Sequence, residues 1–257
     1  MQGQEGKSVE IQWMGLPTAK DLQPFIGMAS VLLSRTIFSM TAFTLITGVA
    51  TAQGTIAAAS HQVCLQLFWF LSYFPEPLSV AAQSLIARDR SSKTATLLLT
   101  RCILGLAAGL GITIATACAV AFVYCAGVFT PNPVIAATMQ SVAKPAFFAL
   151  IMCCLAMSMD GISIGSDDYQ HLPAVNFAGL AATAAWLQWC TMQSLGLQGI
   201  WMGMVVVFGV RLSVHLVHHL GTHAETSMVA AALGLQQFFA VGVRRLPVRG
   251  VALANAA

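Results

Sequence analysis

Ionised side chains are scarce in this chain, since Asp, Glu, Lys and Arg make up only 8% of its 257 residues. A soluble globular domain carries about 25%. Apolar residues reach 57% and the mean hydropathy is +0.77, which excludes both an ordinary water-soluble domain and a disordered chain. The net charge of +3 is too small and too localised for a nucleic-acid binder. No CxxC pair occurs among the seven cysteines, Cys64, Cys102, Cys118, Cys125, Cys153, Cys154 and Cys190. All lie in or at the ends of apolar stretches, as expected of buried thiols in a reducing compartment rather than a disulfide frame or metal site.

Enzyme signatures are also missing. The chain has no HExxH, G-x-S-x-G or nucleotide fingerprint. Gly6-Lys7-Ser8 mimics the end of a P-loop, but Met1 stands where the first glycine is required. Ser141 and Lys144 spell S-x-x-K without its companion motifs. Neither an enzyme nor a resident cofactor is expected.

What the chain does have is six long apolar segments, over residues 25–50, 58–87, 94–124, 134–159, 172–194 and 199–220. Each exceeds the roughly 20 residues that span a bilayer as a helix, and none shows the alternation of a barrel strand. The expected fold is an all-α, polytopic six-helix bundle over residues 24–221. A polar linker (1–23) precedes it, without the features of a signal or transit peptide, and a tail (222–257) follows. The links after the first, third and fifth segments hold no charge. Lys7, Lys20, Arg88, Arg90, Lys93, Arg244, Arg245 and Arg249, with Asp89, Asp160, Asp167 and Asp168, fall on the other side. By the positive-inside rule both termini face the cytosol or stroma. The basic tail is expected to rest on anionic lipid.

Ionisable residues within apolar segments mark function in membrane proteins, because an ionised group in hydrocarbon is costly. Arg35 and Glu76 fall at similar depth on consecutive antiparallel helices and are expected to face each other or a shared aqueous cavity. Such a pair either fixes helix register or lets Glu76 exchange a proton or bind substrate. Lys144, followed by Pro145, reads as a cavity-facing cation at a helix hinge or as a lysine stretched toward the interface. Pro75 and Pro77 should bend the second helix at Glu76. His61 and Gln62 read as interhelical hydrogen-bonding groups or substrate contacts. Arg101 and Arg211 are expected to snorkel. Asp160, Asp167 and Asp168 read as a solvated turn, or as a gate contact to a second lobe. His215, His218, His219 and His223 form an interfacial cluster with no carboxylate to complete a metal site. The pairs Gly105/Gly109 and Gly199/Gly203 are expected to allow close helix approach.

Residues 54–66, from Gly54-Thr55-Ile56-Ala57 through Ser60-His61-Gln62 to Leu65-Gln66, resemble the opening of the eighth helix in plant-type multidrug and toxic compound extrusion (MATE) transporters. Pro75-Glu76-Pro77-Leu78-Ser79 through Gln83 is similar to a stretch of that family's plastid-associated members. Val128-Phe129-Thr130, residues 159–169 from Met159-Asp160-Gly161, and Gly196-Leu197-Gln198-Gly199-Ile200-Trp201 with Arg211 recur in the same order.

The resemblance covers residues 20–220 and implies the C-terminal six-helix lobe of a twelve-helix protein, with residues 2–23 as the inter-lobe linker. It implies a secondary antiporter exporting small organic compounds, anionic or aromatic, in exchange for H+ or Na+. Arg35 and Lys144 incline that expectation toward anions. No acidic residue stands in the first helix, where Arg35 is found instead, so the coupling ion is left open. The alternative is a non-transporting membrane subunit that needs a separate N-terminal lobe. A membrane enzyme would require a cavity gathering His61, Glu76 and Asp160.

Overall fold

In the computed structural model, which describes residues 19–221, all regular structure among the described residues is helical. The order is α1 (Ala19–Ala52), α2 (Thr55–Ser72), α3 (Pro75–Arg88), α4 (Lys93–Tyr124), α5 (Ala126–Phe129), α6 (Pro133–Gly165), α7 (Leu172–Met192) and α8 (Gly196–Gly221). The polar linker up to residue 18 and the tail from residue 222, with His223 and its three arginines, lie outside the described residues. Five of the six expected segments are single helices. The sixth is broken, because residues 58–87 divide at Tyr73-Phe74 into α2 and α3. Pro75 occupies the first turn of α3, where a missing N–H costs nothing.

Local chemistry sets the other boundaries. The Ser92 hydroxyl accepts from the Ala95 amide at the start of α4, and the Asn132 carbonyl accepts from Val134 and Ile135 ahead of Pro133 in α6. Gly54, with φ 108°, turns the chain between α1 and α2 in a conformation open to glycine but strained for most other residues. α6 passes through Pro145 without interruption and continues to Gly165, beyond the expected end at residue 159.

α6 is the central helix, in contact with α4, α8, α3 and α2, while α7 closes the bundle against α8 and α1. The core sits around fully buried Trp201, whose ring meets Phe68, Phe122 and His61 edge-on. The outer faces of α1 and α4 carry exposed Phe25, Ile26, Leu33, Leu98 and Leu106. An apolar exterior of this kind suits hydrocarbon. Among the described residues four helices are long and apolar enough to cross a membrane, namely α1 over Phe25–Ala52, α4, α6, and α8 over Gly196–His219. α7 and the broken pair α2–α3 pack with them in the same bundle.

Close helix contact falls on other glycines than the expected Gly105 and Gly109, which have open space where a Cβ would stand. Gly161 and Gly165, also four apart, lie against α3. A Cβ on Gly161 would sit 2.5 Å from the Ser79 carbonyl oxygen, and one on Gly165 would sit 3.0 Å from that of Ala82. The Ser79 hydroxyl then donates to the Met157 carbonyl at 2.9 Å, locking the same contact. Both members of the second expected pair pack, Gly199 against Leu195 and Cys190 and Gly203 against Ile46, Leu187 and Trp186.

Candidate functional site

The site is built around Asp160. Its carboxylate is almost fully buried near the C-terminal end of α6, and three side chains from two other helices converge on it. Arg211 of α8 donates from Nη2 to Oδ2 at 2.7 Å, and Arg35 of α1 donates from Nη1 to the same oxygen at 2.9 Å. His215 of α8, one turn beyond Arg211, lies with Nε2 2.8 Å from Oδ1. Arg211 and His215 share a helix face because they are four residues apart. Arg35 reaches Asp160 because a helical side chain leans toward its own N-terminus, here the charged side of the bundle.

Asp160 is therefore no solvated turn, and Arg211, at 6% exposure, does not snorkel. The turn does exist a few residues later, at Asp167 (φ 66°), which meets Arg90 at 3.2 Å. A buried carboxylate persists only when paired, so the two guanidiniums are the condition for α6 running on past it.

A cavity of about 260 Å³ opens beside this cluster. Arg35, Asp160, Arg211 and Glu76 line it together with the rings of Phe43, Phe68, Trp69, Tyr73 and Phe208. Arg35 and Glu76 thus share a cavity, but the partner of Arg35 is Asp160. Among the described residues no ion pair holds Glu76, which is exposed at the start of α3 beside the helix break. Arg211 also lies over the Phe208 ring, 5.7 Å from its centroid.

The remaining sequence candidates fall elsewhere. Lys144 is exposed and does not line the cavity, so its side chain cannot act there in this conformation. Gln62 is exposed on α2. His61 is buried, with Nε2 3.1 Å from the Thr47 hydroxyl, and serves helix packing between α1 and α2. A site joining His61, Glu76 and Asp160 is not formed, because His61 lies outside the cavity wall. Five cysteines are buried as expected, but Cys102 and Cys125 are exposed.

Sequence reasoning missed His171, which precedes α7 and stacks on His218 with centroids 3.8 Å apart. It also missed the carboxylates of the histidine group. His215 touches Asp160, while His218 Nε2 lies 2.9 Å from Asp168 Oδ2. Burial works to raise the Asp168 carboxyl, but the hydrogen bond and charge of His218, with His171 and His219 behind it, hold it below its ordinary value. Burial, joined by His218 and His215, pushes His171 down to about 4, so its ring is neutral at pH 7.

No family profile matches the chain. Curated relatives do. The chain is 25% identical over 193 residues to Protein DETOXIFICATION 45, chloroplastic, of Arabidopsis thaliana, covering 73% of this chain and 34% of the relative. It is 31% identical over 199 residues to Protein DETOXIFICATION 47, chloroplastic, of the same plant, covering 74% and 36%. The chain thus spans about a third of the length of the curated relatives it matches. Its fold is similar to a solved multidrug resistance MATE family transporter of the MOP superfamily in an outward-facing conformation. That likeness has a TM-score of 0.63 at 15% identity, over 78% of this chain and 46% of the other. These matches and the membrane-length helices make the protein an integral membrane protein. Over about three quarters of its length this chain is thus similar in sequence to chloroplastic DETOXIFICATION proteins and in fold to a MATE family transporter.

Proposed function

We propose that the chain supplies the C-terminal lobe of a secondary antiporter, which exports small aromatic compounds in exchange for H+ or Na+ through the cavity beside Asp160. The observation that carries this reading is the cavity wall itself, where four ionisable groups at membrane depth face an aromatic lining. Such groups inside a membrane mark substrate and ion pathways. A cavity flanked by a broken helix is where secondary transporters bind their cargo.

Two roles divide between the carboxylates. Asp160 is saturated by Arg35, Arg211 and His215, so it acts as the fixed anchor of α1, α6 and α8. Glu76 is exposed and bears no ion pair among the described residues, so it is the group that exchanges the coupling ion. Arg35 is already neutralised and Lys144 is remote, which removes the basis for an anion preference. The rings of Phe43, Trp69, Tyr73 and Phe208 favour a flat aromatic substrate instead. The chloroplastic relatives support residence in a plastid membrane, and the sidedness of charge supports placing both termini on the stromal or cytosolic side.

The test is reconstitution of the chain in vesicles loaded with a fluorescent aromatic compound under an imposed pH or sodium gradient. Gradient-dependent efflux that Glu76→Gln abolishes supports the reading, and efflux unaffected by that change refutes the role of Glu76. A second reading keeps the same fold and cavity and makes the chain a subunit that works only beside a separate N-terminal lobe. Efflux that appears only when such a lobe from a chloroplastic relative is co-reconstituted supports that second reading.

A further inference from the structure

Beyond the cavity, on the far side of Asp160, the end of α8 and the start of α7 bring four imidazoles together. Ligand atoms of His171, His215 and His219 all lie within 4.8 Å of one another, and two of these residues are buried. His171 Nε2 and His215 Nδ1 are 3.3 Å apart. Two nitrogens bound to one tetrahedral zinc at ~2.0–2.1 Å are separated by about 3.3 Å.

The partners of these rings decide what lies between them. His215 turns Nε2 to the Asp160 carboxylate at 2.8 Å, and a carboxylate accepts, so the proton sits on Nε2 and Nδ1 carries a lone pair. His171 turns Nδ1 toward Asp168 Oδ1 at 3.6 Å, which is too long for a hydrogen bond, and that buried nitrogen has no other partner. Without an ion, His171 Nε2–H donates to the His215 Nδ1 lone pair at 3.3 Å. A metal between the rings would move the His171 proton to Nδ1, on the side of Asp168, and leave both facing nitrogens as ligands.

A metal-bound histidine whose other nitrogen is held by a carboxylate is the usual way a protein orients such a ligand. Asp160 holds His215 in this way, and Asp168 lies 3.6 Å from the second nitrogen of His171. The carboxyl ends of α6 and α8 add negative potential at the same end of the bundle.

We propose that His171 Nε2, His215 Nδ1 and a ring nitrogen of His219 bind one divalent transition-metal ion of the zinc type, leaving a fourth position open. Such an ion ties α7 to α8 behind the Asp160 cluster, and neutral imidazoles suit zinc, copper or nickel better than magnesium or calcium.

Binding of Zn2+ to the full chain without an affinity tag, in detergent, tests this by equilibrium dialysis with metal analysis. The expected result is one Zn2+ per chain, weakened about tenfold or more in His171→Ala and in His219→Ala and kept in His218→Ala. Substitution by Co2+ should give the visible absorption of a tetrahedral site, and Zn2+ should raise the unfolding temperature of the unaltered chain. These two readouts decide the matter even where a variant fails to fold. Absence of stoichiometric Zn2+ in the unaltered chain overturns the proposal, and the contact between His171 and His215 is then a hydrogen bond alone. Binding lost in His218→Ala but kept in His219→Ala also overturns it, since the ion then sits on Asp168, His171 and His218.

Discussion

Replacing Asp160 by Asn removes one negative charge and almost no volume, so it isolates the electrostatic part of the cluster. Both guanidiniums bond the same oxygen, at 2.7 and 2.9 Å, and their side chains differ in exposure, 8% for Arg211 against 30% for Arg35. Stranding a buried cation costs about 3–5 kcal/mol. Arg35 relaxes toward water and adds about 1 kcal/mol or less. The expected destabilisation is thus about 4 kcal/mol, most of it due to Arg211. Unfolding of the purified chain by titration with sodium dodecyl sulfate, followed by circular dichroism, measures it. Double-mutant cycles then apportion it, with Asp160→Asn coupled strongly to Arg211→Leu and weakly to Arg35→Leu. A loss below about 1 kcal/mol in Asp160→Asn, or equal coupling to both arginines, would refute the view that a buried ion pair with Arg211 anchors the bundle.

Two further outcomes follow from packing and exposure. Gly161→Ala should destabilise the chain by about 1–3 kcal/mol by the same unfolding assay, because the new methyl meets the Ser79 carbonyl oxygen at 2.5 Å, whereas Gly105→Ala should stay within about 0.5 kcal/mol. A small maleimide should modify Cys102 and Cys125 readily in detergent and leave the five buried thiols intact, as read by mass spectrometry. Fast modification of Cys64 or Cys153 would contradict the described core.

The helical segments were legible because lipid selects long apolar runs, and that signal survives in composition alone. Pro75 and Pro77 also marked the one broken segment, since the missing N–H and fixed φ of proline act locally. Asp160 was misplaced for a reason internal to that signal. A charge reads as the end of an apolar segment, yet α6 continues five residues past it because Arg35 and Arg211, 125 and 51 residues distant, neutralise it. Sequence spacing carries no record of such pairing. Glycine spacing failed similarly. Gly105/Gly109 and Gly161/Gly165 share a four-residue interval, and only the tertiary arrangement decides which pair faces a neighbour. His171 had no signal at all, being a lone histidine 44 residues before His215. What could have raised Asp160 was the scarcity of acids itself, since a carboxylate so close to an apolar run requires a partner.

The formal charges on the cavity wall cancel, with Arg35 and Arg211 opposed by Asp160 and Glu76. They do not cancel evenly in space, and the proposed exchange rests on that asymmetry. At Asp160 an incoming proton would strand two guanidiniums, and an incoming sodium ion would have to displace one of them from the shared oxygen. Either event costs more than an exchangeable site tolerates, because the penalty for an unpaired charge rises with burial. At Glu76 neither obstacle exists. The carboxylate opens the first turn of α3 and has no ion pair among the described residues. In the proposed antiport, a cation bound there would change the net charge of the cavity from zero to +1 while the anchor stays paired. An aromatic guest on Trp69 and Tyr73 would sense that change through its π-face. With Arg35 of the first helix committed to Asp160, the proposed exchange falls to Glu76, beside the break between α2 and α3.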